Sequence, residues 1–447
     1  MSGERFSDQS VEIKERESRQ KVVVTGMDAI TPLGFSWRET WGNLVKGVNT
    51  AITLFDDRFR GRVASPIVYF NPDNFFSRSE TKIKQRTSRA AQFSYIAARG
   101  ALSDAGLLCT NSDPEVKIDP DQWGVYVGTG TGGVEEYRRA AESVKSEGPR
   151  RIPAEAVFKI LPERVGTVIN LAFGFRGRSG TTITACATGL TNIAQSAEYV
   201  AKGEMDGMIS GATEGTISDV IMGGFANIRA LPKNFTKRPQ AASRPFDEES
   251  EGFVPSEGAG IVVLENEKIA LSRGADIKAE LAGFAWNNDA NHETVPDHNG
   301  LAKAILRALE VARLKVTDVD VYVAHGTSTE INELSEMKAL VQALGKHAYQ
   351  VAITAPKSML NHQLGAAGAL TSLVATSILR QNVIPPTINI DKLKEEFKRF
   401  DIVQKARDVK ANVVVAAAAG FGGHNAVAVF KRYFNPQLRL PFSASPT

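Results

Sequence analysis

The chain of 447 residues reads as an α/β protein built from two halves that share one pattern. Three observations lead there. Short apolar runs alternate with longer amphipathic segments between the two ends, as sheets covered by helices require. The alternation starts afresh after about residue 270. Each half then closes on two apolar strands joined at a glycine-rich turn, residues 252 to 264 in the first and 413 to 430 in the second. The division that follows is a charged leader at 1–20, a first half at 21–270, a second half at 271–434 and a tail at 435–447.

Composition sets the outer limits. A hydrophobic content of 43% with 23% charged residues is that of an ordinary soluble globular chain, and it excludes general disorder, a collagen-like fibre and a membrane-embedded body. Subtracting 50 acidic from 53 basic residues leaves +3, too balanced to point to nucleic acid. Two cysteines, Cys109 and Cys186, cannot build a disulfide framework or a thiolate zinc site, which implies a reducing, cytoplasmic setting. No window approaches the roughly 18 apolar residues of a membrane span.

The elements follow in order. The first 19 residues carry nine charges of both signs and no apolar core, so they read as a flexible leader and not as a signal or transit peptide. The run from Lys21 to Gly26 is a strand. A capping box at Ser36 and Glu39 opens a helix with Trp37, Trp41, Leu44 and Val45 at helical spacing. Residues 89–105 form an alanine-rich helix and 123–127 a strand. Residues 181–185 read as a strand, 190–201 as a helix and 205–210 as a strand. In the second half, 319–324 is a strand, 331–344 a helix, 351–354 a strand, 365–380 an alanine-rich helix and 413–417 a strand. Gly128, Gly130 and Gly133 formally match a dinucleotide fingerprint. The charged stretch that follows leads to Pro153 and not to a second strand, so a tight backbone bend is the reading.

Cys186 stands where the 181–185 strand turns into a helix. Orphan N–H groups and the helix dipole there favour a thiolate, which makes Cys186 a candidate nucleophile, with a small core cysteine as the alternative. His325 ends the apolar run 319–324 and opens His325-Gly-Thr-Ser-Thr329, at the strand end where α/β proteins bind ligands. His362 lies just before the alanine-rich helix. One such histidine is commonly structural; two, with a well-placed cysteine, point to a site. His298 and His347 sit in polar surroundings and read as surface residues, and the six histidines show no metal-binding spacing.

Thr184-Ala-Cys-Ala-Thr-Gly189, His325-Gly-Thr-Ser-Thr329, Lys357-Ser-Met, Asn361-His-Gln-Leu-Gly-Ala-Ala-Gly368 and Gly420-Phe-Gly-Gly423 together resemble the β-ketoacyl-[acyl-carrier-protein] synthases, synthase II above all. The likeness runs in order from Val22 to about Phe430 and includes Ser243-Arg-Pro-Phe-Asp247. It implies a thiolase fold, with duplicated βαβαβαββ halves in α-β-α-β-α layers, and a homodimer. It also implies a decarboxylative Claisen condensation. Cys186 would accept an acyl group from acyl carrier protein. His325 and His362, with Lys357 beside them, would promote decarboxylation of malonyl carrier protein, and the product would be a 3-oxoacyl chain. The N–H groups of Cys186 and Phe421 would form an oxyanion hole, with Phe421 as gate. Thr294, Thr327 and Thr329 would contact the phosphopantetheine arm, and Gly422 would belong to the same substrate site. Lys82, Lys84, Arg86, Arg150, Arg151 and Arg229 would receive the acidic carrier protein. No cofactor or metal is needed beyond the phosphopantetheine that the substrate carries.

The chain departs from the family pattern at several places. Ala416–Ala419 replaces a usual Asn-Ser-Phe, so Ala419 stands where a phenylalanine flanks the malonyl site. Thr371 replaces a glutamate that would pair with Lys357. Glu330 replaces a proline, Pro255-Ser256 replaces a hydrophobic-Gly pair, and Thr131 replaces a common isoleucine at the position tied to chain length. These changes leave open a second reading, a non-condensing partner subunit like the chain-length factors, although those usually lack the cysteine. A thiolase is a third, and it fits poorly because no motif surrounds Cys109.

Overall fold

The computed structural model describes residues 19–54, 62–108, 118–215 and 217–435. Most of the leader and the tail, and Cys109, lie outside the described residues.

Eleven strands form one mixed sheet. In chain order they are β1 (Val22–Ile30), β2 (Trp123–Gly128), β3 (Ser179–Gly180), β4 (Gly207–Glu214), β5 (Gly258–Asn266), β6 (Ala279–Asn288), β7 (Val321–Val323), β8 (Ala352–Thr354), β9 (Asp401–Ile402), β10 (Val413–Gly420) and β11 (His424–Lys431). Their order across the sheet is β9-β8-β7-β10-β11-β6-β1-β5-β4-β2-β3. Reading outward from the centre, β1-β5-β4-β2-β3 mirrors β6-β11-β10-β7-β8, and the senses agree: β4 runs parallel to β2 and antiparallel to β5, as β10 does to β7 and β11. This is the expected duplication. The two halves meet where Val23 and Val24 pair with Glu280 and Ala279. Among the described residues strand β9 has no counterpart in the first half.

Eight longer helices matter here: α1 (Trp37–Val45), α2 (Arg89–Asp104), α3 (Val134–Glu147), α4 (Arg164–Phe173), α5 (Thr188–Ala201), α6 (His298–Val311), α7 (Glu330–Leu344) and α8 (Ala367–Gln381). Helices α2 and α4 cover the outer face of the first half, and α6 and α7 that of the second. Between the halves lie α5 and α8. Every residue of α8 from Ala367 to Leu379 is buried, as a helix enclosed on all sides must be. Three apolar cores result, one in each gap between outer helices and sheet and the largest around α5 and α8.

Local chemistry explains the boundaries. Ser36 caps α1 through the Glu39 N–H at 3.3 Å, and Glu39 accepts from Phe35 one residue earlier than a standard box would have it. Two sequence readings need correction. Only Ser179 and Gly180 are strand; residues 181–185 are not. With no further strand beside them, their backbone groups are met by side chains: Asn192 accepts from Thr182 N–H and donates to Thr182 O, and Thr188 accepts from Thr184 N–H. The first half also does not close on a 252–264 hairpin. Strand β5 begins at Gly258 and pairs with β4, while Pro255 and Ser256 make single bridges to His362 and Ser65. The 413–430 pair forms as expected, β10 and β11 turning at Phe421-Gly422-Gly423.

Glycine is required where the central helices meet. A Cβ at Gly189 would lie 2.5 Å from the Ala369 nitrogen, and one at Gly368 would lie 2.7 Å from that of Leu190. That contact brings the N-terminal ends of α5 and α8, with Cys186 and His362 just ahead of them, to one place.

Candidate active site

Cys186 sits in a single 3-10 turn, Ala185–Ala187, that runs into α5. Ala185 has a φ of 48°, so the nucleophile is presented on a strained bend. The β10–β11 turn presses against it: a Cβ at Gly420 would lie 2.5 Å from Thr184 O and 3.1 Å from Cys186 N, so the close approach needs a glycine. The backbone N–H groups of Phe421 and Cys186 both stabilise negative charge at this sulfur. The thiol itself is not acidic, contrary to the expectation from its helix-terminal position. Cys186 keeps some exposed surface, but the protein around it pushes the thiol up to about 12, overriding the help of nearby Lys357.

His325 follows β7 and His362 precedes α8; their ring centroids are 5.6 Å apart and nearly perpendicular. Burial holds both imidazoles well below the ordinary histidine value, with Lys357 adding to the effect, so both are neutral. Their tautomers follow from their partners. Lys357 Nζ, which can only donate, lies 3.3 Å from His325 Nδ1 and donates to His325 O at 2.6 Å. The Leu364 N–H donates to His362 Nδ1 at 3.2 Å. In each ring Nδ1 is the acceptor, and Nε2 carries the proton.

Sequence reasoning missed several supports. Glu336, on α7, accepts from the N–H groups of His325 (2.6 Å) and Gly326 (2.9 Å) and from Tyr322 Oη (3.0 Å). Its charge also supports the protonated form of Lys357, whose pKa burial lowers to about 8. Lys357 therefore does not lack a carboxylate neighbour in the absence of one at Thr371, whose hydroxyl donates to Ala367 O within α8. A glutamate on the apolar face of the 331–344 segment was the available signal. Phe253, edge-on to His362 at 4.9 Å, had none.

A cavity of about 470 Å³ opens here. Cys186, Arg229, Thr294, His325, Thr327, Thr329, His362, Ala419 and Phe421 all line it, and so does Glu330. Thr327 and Thr329 share a hydroxyl contact of 2.7 Å, and Phe421 lies 6.4 Å from Phe225. Gly422 holds the turn from behind, its N–H donating to Glu293 O at 2.7 Å. Thr131 is not among the lining residues; its hydroxyl is committed to the buried Glu214. Of the basic residues only Arg229 reaches the cavity. Lys82 and Lys84 lie on the short helix Thr81–Gln85 with Arg86 at its end, and Arg150 and Arg151 on the turn Pro149–Arg151. His298 opens α6, and His347 is half-buried with Nε2 2.9 Å from Val319 O, not a free surface group.

A cysteine beside two neutral N–H donors and a pair of backbone N–H groups, in a duplicated α/β fold, is an arrangement suited to a thioester condensing enzyme. The family models for the beta-ketoacyl synthase N-terminal domain and C-terminal domain match residues 19–270 and 278–391, and the chain belongs to that family, with the thiolase fold and the acyltransferase chemistry of its members. It is 34% identical over 419 residues to the 3-oxoacyl-[acyl-carrier-protein] synthase 2 of Staphylococcus aureus (strain N315), covering 93% of this chain and 99% of the relative. A synthase of the same name from Synechocystis sp. (strain ATCC 27184 / PCC 6803 / Kazusa) is 35% identical over 424 residues, with the same coverage. Among solved structures it resembles a beta-ketoacyl synthase from Burkholderia phymatum STM815 (TM-score 0.85, 29% identity, 93% of this chain and 100% of that one). A type II PKS ketosynthase bound to the hexaketide and in complex with its acyl-carrier protein superposes with a TM-score of 0.83 at 27% identity, over the same shares of the two chains.

Proposed function

We propose that this protein condenses an acyl chain with a malonyl unit, both carried on acyl carrier protein, releasing carbon dioxide and a 3-oxoacyl carrier protein. The observation that carries the reading is the convergence of Cys186 with two neutral imidazoles whose Nε2 atoms hold the protons. In the first half-reaction the Cys186 sulfur attacks the thioester carbonyl. A new S–C bond forms, the pantetheine sulfur leaves, and the thiol proton passes to it. The Cys186 and Phe421 N–H groups hold the oxyanion. In the second, malonyl loses carbon dioxide, and the electron pair moves into an enolate whose oxygen accepts from the two Nε2–H groups. Its carbon attacks the acyl-cysteine; a C–C bond forms, the C–S bond breaks, and the departing thiolate takes a proton from solvent.

Thr294, Thr327 and Thr329 hold the pantetheine arm, Ala419 and Gly422 belong to the malonyl side, and Thr131 bears on chain length from behind the wall. Lys82, Lys84, Arg86, Arg150, Arg151 and Arg229 receive the carrier protein. A second copy of the chain covers the β3 edge, making a homodimer. The paucity of cysteines favours the cytoplasm; among the described residues no helix is long and apolar enough to cross a membrane. The partner-subunit reading has Cys186, His325 and His362 against it, since a non-condensing subunit has no use for the full set. Incubating the protein with an acyl carrier protein series and malonyl carrier protein, followed by intact-mass analysis, tests the proposal: a product longer by two carbons supports it, and a Cys186→Ala variant that still transfers acyl groups overturns it.

A further inference from the structure

Asn361, immediately before His362, is completely buried and has φ 62° and ψ −162°. Asparagine tolerates positive φ in the left-handed helical region, where ψ is near +47°, but this ψ belongs to a region that is essentially glycine's alone. A glycine would occupy the position without strain, so the side chain must do something to be worth its backbone cost. Its amide makes a reciprocal pair with Asn49: Asn361 Oδ1 accepts from Asn49 Nδ2 at 3.2 Å, and Asn361 Nδ2 donates to Asn49 Oδ1 at 3.4 Å and to Met359 O at 3.3 Å. Asn49 is itself anchored, donating to Ser358 O at 2.7 Å and accepting from Ala51 N–H at 2.8 Å. The pair thus grips the short helix Lys357–Leu360, which has Lys357 at one end and His362 just beyond the other.

We propose that Asn49 and Asn361 are positioning residues for His362, a side-chain clasp that holds the Asn361 backbone in its strained setting and so fixes where the imidazole N–H points. The inference rests on the condensation reading above. Beyond Asn361 the chain is tied at His362 N–H to Val254 O (2.8 Å), at His362 O to Ser256 N–H (2.9 Å) and at Nδ1 to Leu364 N–H. Relaxation of ψ at Asn361 would turn the plane of the peptide that carries the His362 N–H, so the first of these bonds is the one the clasp protects. Cys186 stands on a different element, and its approach to the acyl donor does not depend on the pair.

The test uses Asn361→Ala, which keeps the backbone strain but removes the amide, together with Asn49→Ala and the double variant. Acylation of Cys186 should stay within about twofold of wild type, while kcat for malonyl decarboxylation and condensation falls about tenfold or more with KM for malonyl carrier protein little changed. The double variant should lose no more than either single one, because both break one clasp. Asn361→Ala and Asn49→Ala at the wild-type decarboxylation rate overturn the proposal, as does an equal loss in both half-reactions, the mark of a merely structural pair. Nitrogen-15 resonances of the six histidines give a readout that survives failure of the condensation reading. If no product forms with any substrate, a fixed Nε2–H tautomer at His362 that becomes mobile in Asn361→Ala still supports the clasp, and identical spectra overturn it.

Discussion

In the proposed mechanism Cys186, His325 and His362 divide the chemistry between them, and their substitutions should separate it. Cys186→Ala should abolish acyl transfer, whereas His362→Ala should acylate yet decarboxylate malonyl carrier protein about 100-fold more slowly, read by product mass and carbon dioxide release. Acidity adds a second check. Both imidazoles have pKa values well below 6.5 and act in the neutral form, which predominates above their pKa. Decarboxylation should therefore be flat between about pH 6 and 7.5 and fall only in more acidic solution; an acid limb centred at an unperturbed histidine value contradicts the assignment. Lys357 begins to lose its charge near pH 8, so a change on the basic side should disappear in Lys357→Met. That Cys186, His325 and His362 are candidates for one site was legible in the sequence because each sits in a short motif at an element's end, and they line one cavity. Their state was not. The cysteine was read as acidic from its place at a helix terminus, but burial, a product of parts distant in the chain, decides it the other way. Glu336 was half-legible: its place on the apolar face of the 331–344 segment signals burial, but the N–H groups it accepts from are brought to it by packing.

Among the elements, α7 carries an ionisable group against the grain of its surroundings. Glu333 is fully buried, and although the Phe246 and Ser328 backbone N–H groups and the Lys394 charge favour its ionised form, burial outweighs them and raises its pKa from 4.5 to about 8. The folded value lies above the unfolded one, so the stability tied to this group is complete below pH 4.5 and is lost as the pH rises through 8. Glu333→Gln should stabilise the protein by about 2–4 kcal/mol at pH 8.5 and hardly at all near pH 5, measured as thermal midpoints at the two pH values. The contact of α5 with α8 gives a prediction of opposite sign. Gly189→Ala should cost about 1–3 kcal/mol or prevent folding, because the added methyl meets backbone and not a side chain that can swing away. Most strands and helices were readable from their periodicity. Residues 181–185 were not: an apolar, β-branched run predicts a strand only where a neighbour exists to pair with it, and here side chains complete the hydrogen bonding.

At the scale of the whole molecule, the mirrored strand order confirms the duplication that the sequence pattern implied, whereas the join of both halves into one continuous sheet was not foreseeable. Its pairing involves two residues of β1 and none of the motifs. The free edge at β3 is bordered by exposed apolar side chains: Leu171 on α4, which is tied to β3 through Asn170 and Ser179 at 2.6 Å, and Ile183 just beyond the strand. Burying this edge in a homodimer removes an open ladder from solvent. Leu171→Asp with Ile183→Asp should shift the protein from dimer to monomer in sedimentation velocity while leaving its far-ultraviolet circular dichroism intact. An unchanged sedimentation coefficient would place the contact elsewhere.

The extra strand β9 makes the two ends of the sheet chemically unlike. At its end Asp401 pairs with Arg407, a charged margin where β3 has exposed apolar neighbours. Were both ends as adhesive as β3, subunits could add edge to edge without limit and the enzyme would grow into a fibre. In the homodimer proposed above, a blunt end opposite a sticky one would leave a single joining face, and a face that joins only its own copy closes at two. Asymmetry added to an otherwise duplicated fold would then act as a terminator of polymerisation.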